Sequence, residues 1–289
     1  MAFCRGDPCD RPRLKQMALY IVPTPIGNLG DITRRAIEVL SRVDFIIAED
    51  SRYSQKLLNH LQIKKKIISH YRPKEETQAE KIVALLASRD GALITDSGTP
   101  AISDPGFILI RKAVALGIPV IPLPGPTAFV PALVASGIDP QRFLFLGFPP
   151  RRRNDLQRFL KNLAPLPYTL VFYESPRRLG EFLKTAAAVL GDRSFALAKE
   201  VSKKHEKIIR SSLEQWPALL EQEIILGEMV LVVAGCSEAL PPEPAPQFDD
   251  IDDLYAFFSQ RFGLGKNALK KILMKKKTKN QAGRRGHDL

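Results

Sequence analysis

Acidic side chains follow apolar, strand-like segments at several places in the chain, and three of them could take part in catalysis. Glu49 and Asp50 come directly after the segment FIIA, and Glu174 comes directly after TLVFY. A carboxylate at the end of a buried strand can accept the proton of a hydroxyl group during a transfer reaction. Glu49, Asp50 and Glu174 are therefore candidate catalytic residues. For Glu49 and Asp50 the alternative is that they cap the helix predicted for SRYSQKLLNHL.

The loop TPIGNLGDIT, residues 24–33, has the outline of a phosphate-binding turn between a strand and a helix. The Walker A and Rossmann signatures require G-x-x-x-x-G-K-[ST] and G-x-G-x-x-G. Only Gly27 and Gly30 are present and no lysine follows, so both nucleotide signatures are excluded. What remains is the start of a helix, for which Asp31 is the predicted N-cap. The backbone N–H groups of the first helical turn can bind an anion. A purely structural turn is the alternative.

A second loop, LITDSGTPAISDPG at residues 93–106, is rich in hydroxyl and carboxyl groups. Residues 96–99 spell D-S-G-T, a pattern also found in aspartic proteases, but such an enzyme needs a second carboxylate loop in a β-rich fold. The pattern occurs once here, which argues against a protease. Two further strand-to-helix passages, at residues 121–137 and 169–179, bring the total to four. Because ligands bind at the ends of strands in α/β sheets, we expect one shared site.

The elements that position these loops follow from hydrophobic patterning. Short apolar segments alternate with stretches of helical periodicity, which predicts an α/β fold with strands buried on both faces. The segments are ALYIV, FIIA, GALIT, PVIPL, FLFLG, TLVFY, SFALA and MVLVV. No apolar run approaches the ~18 residues that a membrane span requires.

The ordered series of motifs resembles the tetrapyrrole-methylase family of S-adenosylmethionine-dependent methyltransferases. The resemblance covers residues 18–234 and rests on TPIGNLGDIT, AEDSRYS, DSGTPAISDPG, PGPTA, FYESPRR, KEVSKKHE and GEMVLVV. It implies two α/β domains with the cofactor in the cleft between them, and a homodimer. It also implies methyl transfer to the ribose 2'-oxygen of a cytidine in the decoding region of 16S ribosomal RNA. Tyr53 and Arg177 stand where the family pattern has histidine, so no histidine base is expected at those positions.

The resemblance also implies which residues contact the cofactor, S-adenosylmethionine. These are Pro25, Gly27, Asp96, Gly98, Thr99, Pro100, Ile102, Thr127, Ala128, Phe172 and Tyr173. For the substrate RNA we expect Glu49 and Asp50 near the ribose. The RNA contacts are expected from Asn28, Arg52, Arg177 and Lys203.

The expected domain organisation has five parts, with a junction close to Pro149 where prolines cluster and the chain becomes basic. They are a disordered leader (1–17), an N-terminal α/β methylase domain (18–148), a C-terminal α/β methylase domain (149–234), a proline-rich linker (235–247) and a helical basic tail (248–289). The tail is expected to be a helix-turn-helix-like RNA-binding module or a helical hairpin packed on the main body.

The net charge of +12 and the pI near 9.7 favour a polyanionic partner, here 16S ribosomal RNA or the 30S subunit. Nine basic residues and no acidic one lie between positions 266 and 285. RRRND at 151–155 is expected either to bind RNA or simply to cover the surface.

The three cysteines and the charged start of the chain favour the cytoplasm. The four histidines lack ligand spacing, so no metal is expected. Methylation of a small macrocycle, or RNA binding without catalysis, remain the alternatives.

Overall fold

The computed structural model describes residues 17–70, 75–222, 226–237 and residue 253. The predicted leader up to residue 16, most of the linker and the basic tail lie outside the described residues. Both sheets described below belong to a single compact unit of the chain. Within the described residues, no helix is both long enough and apolar enough to cross a membrane.

The first half of the chain forms a fully parallel five-stranded sheet of order β3-β2-β4-β1-β5. Its strands are β1 (Leu19–Ile21), β2 (Phe45–Ala48), β3 (Lys66–Ser69), β4 (Gly91–Leu93) and β5 (Val120–Pro122). Its helices are α1 (Arg34–Arg42), α2 (Ser51–His60), α3 (Glu75–Leu86) and α4 (Phe107–Ala115). Each face of the sheet has its own apolar core, because neighbouring residues of a strand such as Leu19 and Tyr20 point to opposite faces. The connecting loops therefore gather beyond the strand ends.

The second half forms a mixed five-stranded sheet of order β6-β7-β10-β8-β9, in which only β6 and β7 are parallel. Its strands are β6 (Phe143–Phe145), β7 (Thr169–Glu174), β8 (Ser194–Lys199), β9 (Lys207–Ser212) and β10 (Met229–Val233). Its helices are α5 (Phe129–Ala135), α6 (Arg153–Leu163), α7 (Pro176–Leu190) and α8 (Trp216–Gln222). Residues of α6, α7 and α8 share the apolar core on one face of the sheet, and residues of α5 share the core on the other.

The α/β fold class and the eight predicted apolar strands are confirmed, while two strands were missed. The missed strands, β3 and β9, are the outer strands of their sheets and are only half-buried, so they lack an apolar run. The change of sheet also comes earlier than the junction predicted near Pro149. Strand β6 ends at Phe145 and already pairs with β7 of the second sheet.

The start of α1 differs from the prediction. Thr33 is the N-cap, and its Oγ1 accepts a hydrogen bond from the backbone N–H of Ala36 at 3.1 Å. Asp31 instead ends a short 3₁₀ turn, Leu29–Asp31, whose N-cap is Asn28. Either an aspartate or a threonine makes a good cap, so composition alone did not separate the two positions.

Candidate functional site

A cavity of about 400 Å³ opens between the two sheets, at the ends of β4, β5, β7 and β10. Its walls are mostly apolar, with hydroxyl groups, backbone groups and three carboxylates among them. The residues that line it are Ile26, Ser97, Gly98, Thr99, Ile102, Ser103, Asp104, Thr127, Ala128, Phe148, Tyr173, Glu174, Ser175, Pro176, Val201, Gly227, Glu228, Met229 and Val230. This volume lies within the range of ~300–1,000 Å³ that is typical for sites of small molecules and cofactors.

The first wall is built from three loops that hydrogen bonds join together. Thr24 and Gly98 form an isolated β-bridge, with N···O distances of 2.9 and 3.1 Å. The hydroxyl of Thr24 also donates to the carbonyl of Thr95 at 2.9 Å. Thr99 donates to the carbonyl of Pro126 at 2.9 Å and so attaches the loop at residues 124–128. The opening loop, the D-S-G-T loop and the third loop therefore form one rigid wall.

The D-S-G-T loop turns sharply before it enters α4. Ala101 and Ser103 have positive φ angles of 66° and 68°, and Gly106 has a φ of 132°. A Cβ at Gly106 would lie 2.8 Å from Leu93 Cδ2, so both the backbone angle and the available space require glycine there. The carboxylate of Glu75 accepts from the N–H groups of Gly106 and Ile108 at 2.9 and 3.4 Å. This contact anchors the loop at its far end.

The opposite wall depends on the alternation of side chains along β7. Tyr173 lines the cavity, whereas Phe172 is fully buried on the other face, with its ring centroid 5.1 Å from that of Phe182. The side chain of Phe172 therefore lies outside the cavity, because neighbouring strand residues point to opposite faces. Burial raises the pKa of Tyr173, and the negative charge of Asp104 adds to that effect, while a hydrogen bond with Thr127 opposes it.

Glu174 ends β7 inside this cavity, and its side chain is 1% exposed. Its Oε1 accepts from the backbone N–H of Ser175 at 2.9 Å. Its Oε2 has no hydrogen-bond partner among the described residues, and Arg178 Nη2 lies 3.5 Å away. Burial raises the pKa of Glu174, although the Ser175 N–H and the Arg178 charge act in the opposite direction. A buried carboxylate with a free oxygen at a cavity wall has the properties of a proton acceptor.

The other two candidate bases lie beside the cavity rather than on its lining. Asp50 is the N-cap of α2, accepting from the backbone N–H of Arg52 at 2.8 Å, and it also binds the guanidinium of Arg52. These hydrogen bonds from Arg52 lower the pKa of Asp50. The capping alternative is therefore confirmed for Asp50. Glu49 accepts from Thr95 Oγ1 at 3.5 Å.

Asp96, expected to contact the cofactor, joins two loops of the first sheet instead. Its Oδ1 accepts from the backbone N–H of Asp50 at 3.3 Å, and burial raises its pKa, with a contribution from the charge of Asp50. Pro25, Gly27 and Pro100 likewise belong to the loops of the first wall without lining the cavity. Asp96, Pro25, Gly27 and Pro100 therefore belong to the loops that support the cavity and are not among the residues that line it.

Lys203, expected to bind RNA phosphates, makes two ion pairs within the protein. Its ammonium lies 3.1 Å from Glu200 and 2.9 Å from Glu228. Although burial opposes the shift, these carboxylates raise the pKa of Lys203. The aliphatic part of Lys203 lies against Gly27 of the opening loop, where a Cβ would clash with Lys203 Cγ. Lys203 therefore connects the second half of the chain to the first.

A neighbouring hydrogen bond strengthens that connection. Ser202 donates through its hydroxyl to the carboxylate of Asp31 in the opening loop. Glu200 also accepts from the backbone N–H of Glu228 at 2.8 Å, and it lies so close to Gly227 that a Cβ there would clash. We call the contacts among Gly27, Asp31, Glu200, Ser202, Lys203 and Glu228 the loop clasp. Because Val201, Gly227 and Glu228 line the cavity, the clasp holds its second wall against its first.

The remaining expected RNA contacts are distributed around the site. Arg52 is exposed and is paired with Asp50. Arg177 is exposed in the first turn of α7. Asn28 uses its Oδ1 to accept from Gly30 N–H at 2.9 Å, which stabilises the 3₁₀ turn.

Seven of the predicted site residues line the cavity: Gly98, Thr99, Ile102, Thr127, Ala128, Tyr173 and Glu174. The prediction missed Phe148, Asp104 and the stretch at residues 227–230. The motifs DSGTPAISDPG and GEMVLVV contain Asp104 and residues 227–230, so the information was present in the sequence. Within the part of the chain that the structure describes, no cluster of three or more His, Cys, Asp or Glu side chains has the geometry of a metal site.

Comparison with known proteins decides the family of this chain. The family of tetrapyrrole (corrin/porphyrin) methylases matches residues 18–217, which include both sheets up to β9. The chain belongs to the tetrapyrrole methylase family. A crystal structure of uroporphyrin III C-methyltransferase from Thermus thermophilus matches 74% of this chain and 96% of its own, at 16% identity and a TM-score of 0.52. That likeness confirms the fold.

Similar proteins match most of this chain. Ribosomal RNA small subunit methyltransferase I of Halalkalibacterium halodurans is 42% identical over 226 residues, 78% of each chain. The protein of that name from Bacillus subtilis is 42% identical over 218 residues, 75% of each chain. The one from Escherichia coli O157:H7 is 43% identical over 224 residues, 76% of this chain and 78% of its own. The chain described here is therefore a methyltransferase enzyme of a family that uses S-adenosylmethionine.

The cavity fits that cofactor in its chemistry. A folded S-adenosylmethionine carries a sulfonium cation and no phosphate, so it needs no cluster of cationic side chains. The lining offers apolar surface from Ile102 and Met229, hydroxyl groups from Thr99 and Thr127, and backbone groups at Gly98. Its charged members are carboxylates, the sign that suits a sulfonium.

Proposed function

We propose that this enzyme transfers a methyl group from S-adenosylmethionine to the ribose 2'-oxygen of a cytidine in the decoding region of 16S ribosomal RNA, in the cytoplasm. The observation that carries the proposal is the identity of 42–43% to ribosomal RNA methyltransferases over 75–78% of the chain. The family match at residues 18–217 includes the three loops of the first wall and, from the second wall, Tyr173 and Glu174. The net charge of +12 supports a polyanionic substrate.

In this proposal the cavity between the sheets holds the cofactor. Gly98, Thr99 and Ile102 contact it from the first wall, together with Thr127 and Ala128. Tyr173 contacts it from the second wall. Pro25, Gly27, Asp96 and Pro100 support it indirectly, through the hydrogen-bonded loops of the first wall. The bound cofactor supplies an electrophilic methyl group, and the protein supplies alignment of that group with the acceptor oxygen.

The ribose hydroxyl is a weak nucleophile, so acceptance of its proton assists the transfer. Among the three candidate bases, Glu174 is the one that lines the cavity and has an oxygen without a hydrogen-bond partner among the described residues. Its raised pKa brings it closer to neutral pH, where a general base is most effective. Glu49 is the second candidate. Asp50 is the third, because its carboxylate already binds Arg52 and the start of α2.

The RNA in this proposal contacts exposed groups around the cavity. Arg52 and Arg177 bind phosphates, and Asn28 lies in the loop at the rim. Lys203 acts through the loop clasp instead, because two carboxylates already neutralise its charge.

The decisive experiment measures transfer of a labelled methyl group from S-adenosylmethionine to small ribosomal subunits that lack the modification. Digestion of the RNA to nucleosides is expected to yield labelled 2'-O-methylcytidine, at a single position when the RNA is mapped. Free 16S RNA serves as a second substrate, and a precorrin-like macrocycle tests the other chemistry of the family. Labelling of the macrocycle but not of RNA, or labelling of a base instead of a ribose, contradicts the proposal.

We further propose that the enzyme is a homodimer. Val134 is 70% exposed, Val130 is 43% exposed, and both lie on α5, while Phe143 of the outer strand β6 is 39% exposed. Such a patch of apolar side chains favours a partner surface. Light scattering of the wild-type chain and of Val134→Glu tests this: we expect a dimer and a monomer, respectively, and a monomeric wild type contradicts it.

A further inference from the structure

Beyond the cofactor cavity, two further cavities continue from it across the surface of the second half. The first of them shares Phe148, Glu174 and Ser175 with the cofactor cavity and has a volume of about 450 Å³. The next shares Arg151 and Arg178 with that one and has a volume of about 340 Å³. The three spaces therefore form one path that leads from the cofactor cavity along the first turns of α6 and α7.

The walls of this path are strongly basic. Arg151 and Arg177 are exposed on it, as is Arg153. Arg153 makes an ion pair with Glu181 at 3.4 Å, but both side chains are more than half exposed, so that pair contributes little. In the part of the chain that the structure describes, Arg151 and Arg177 make no ion pair. We call this path the arginine groove.

Arg178 gives the arginine groove its fixed shape. Its guanidinium donates to the carbonyl of Pro150 at 2.8 Å and to that of Pro149 at 3.3 Å, and it also faces the buried carboxylate of Glu174. These bonds hold the segment at residues 149–151 against α7. Arg151 follows that segment directly and lines the cavity that adjoins the cofactor cavity.

An aromatic side chain stands where the arginine groove meets the cofactor cavity. Phe148 is 60% exposed and lines both spaces. An exposed phenylalanine beside free guanidinium groups offers two contacts that single-stranded nucleic acid uses, namely stacking of a base and binding of phosphates by the planar fork of arginine.

We propose that the arginine groove binds the single strand of RNA next to the methylated nucleotide, with phosphates on Arg151 and Arg177 and a base stacked on Phe148. This inference rests on the proposed function, which requires an RNA substrate at the cofactor cavity. The groove follows α7 from Ser175 to Phe182, about 10 Å at 1.5 Å per residue, which is enough for a short stretch of strand. It ends in the cofactor cavity, so a strand in the groove leads one nucleotide to the methyl donor.

The test uses the full chain and the double variant Arg151→Glu/Arg177→Glu. Arg89→Glu/Lys161→Glu is the matched control, because it makes the same change of charge at exposed positions away from the groove, Lys161 being at the opposite end of α6. Methyl transfer to unmodified small subunits and binding of a labelled single-stranded RNA oligonucleotide are measured at several salt concentrations. Calorimetry with S-adenosylmethionine shows whether each variant keeps its cofactor affinity.

We expect the groove variant to raise the KM for the subunit by at least tenfold and to leave the Kd of the cofactor within twofold of wild type. The slope of log Kd for the oligonucleotide against log salt is expected to fall by about 1.4, since each phosphate that an arginine neutralises on a single strand contributes about 0.7. Phe148→Ala is expected to weaken oligonucleotide binding without changing that slope. Should Arg151→Glu/Arg177→Glu fold poorly, Arg151→Gln/Arg177→Gln is used instead.

Three outcomes overturn the arginine groove: an unchanged KM and oligonucleotide Kd, an equal loss in the control variant, or equally tight binding of polyglutamate, which would show a general anion surface. These outcomes are distinct from a failure of the proposed function. If the proposed function fails, the wild-type enzyme labels no RNA at all. The oligonucleotide binding experiment then still decides whether the arginine groove holds RNA.

Discussion

The loop clasp leads to a prediction about how tightly the enzyme holds its cofactor. Lys203→Met keeps an aliphatic side chain against Gly27 but removes the ammonium that joins Glu200 and Glu228. The Lys203 and Glu200 side chains are 27% and 23% exposed, so their ion pair at 3.1 Å contributes about 1–2 kcal/mol. The pair with Glu228 at 2.9 Å adds about 0.5 kcal/mol, because Glu228 is 74% exposed. The variant therefore weakens the clasp by about 2 kcal/mol in all.

That weakening is expected to appear in cofactor binding, since residues of the clasp line the cavity. If S-adenosylmethionine binds only with the two walls in contact, the apparent Kd rises as the fraction of closed molecules falls. Each 1.4 kcal/mol changes an equilibrium tenfold, so a loss of about 2 kcal/mol in Lys203→Met is expected to raise the Kd about 30-fold and to speed cofactor dissociation similarly. Lys203→Ala, which also leaves the space above Gly27 empty, is expected to have a larger effect.

Calorimetry gives the Kd, and stopped-flow displacement gives the dissociation rate. Lys184→Met is the control, because it removes the same charge from an exposed position on α7. We also expect Gly27→Ala to weaken cofactor binding, since its Cβ would clash with Lys203 Cγ and its φ of 156° disfavours alanine. Cofactor dissociation that is equally slow in wild type, Lys203→Met and Lys203→Ala refutes the reasoning.

Three further predictions concern the buried carboxylates and the buried histidine. Because burial raises the pKa of Glu174, its contribution to stability is present below its ordinary 4.5 and is lost as the pH rises through the native value. Glu174→Gln is therefore expected to raise the Tm at pH 7–8 but hardly at pH 4, while methyl transfer falls about 100-fold if Glu174 is the base. Because burial lowers the pKa of His70, against the charge of Glu75, stability is present above its ordinary 6.5 and is lost as the pH falls below that value. Thermal melts from pH 7.5 to 5 should show this loss in wild type but not in His70→Phe. Glu75→Ala leaves the N–H groups at the end of the D-S-G-T loop without their acceptor, so calorimetry should show a Kd for S-adenosylmethionine about tenfold higher.

Central strands were predictable from the sequence because burial on both faces leaves a continuous apolar run, as in MVLVV of β10. The outer strand β9 has the sequence KIIRSS and is only half-buried, so its composition does not separate it from a loop. Its place in the sheet is set by backbone pairing with β8 in register from Ser194 to Lys199. Such pairing depends on the whole fold and leaves little trace in local composition.

The same distinction applies to the site, where some features follow from the local sequence and others depend on contacts in the folded protein. The alternation along TLVFYE already implies that Phe172 and Tyr173 point to opposite faces, and the family motif alone concealed this. The role of Lys203, in contrast, could not be predicted from the local sequence. Lys203 was predicted to bind RNA, but Glu228 and Gly27 come from distant parts of the chain and meet Lys203 only in the folded protein. The charge of a side chain can be taken from the sequence, whereas the freedom of that charge to bind a substrate depends on partners that tertiary structure provides. In this enzyme, Arg151 and Arg177 are therefore better placed than Lys203 to bind an RNA phosphate.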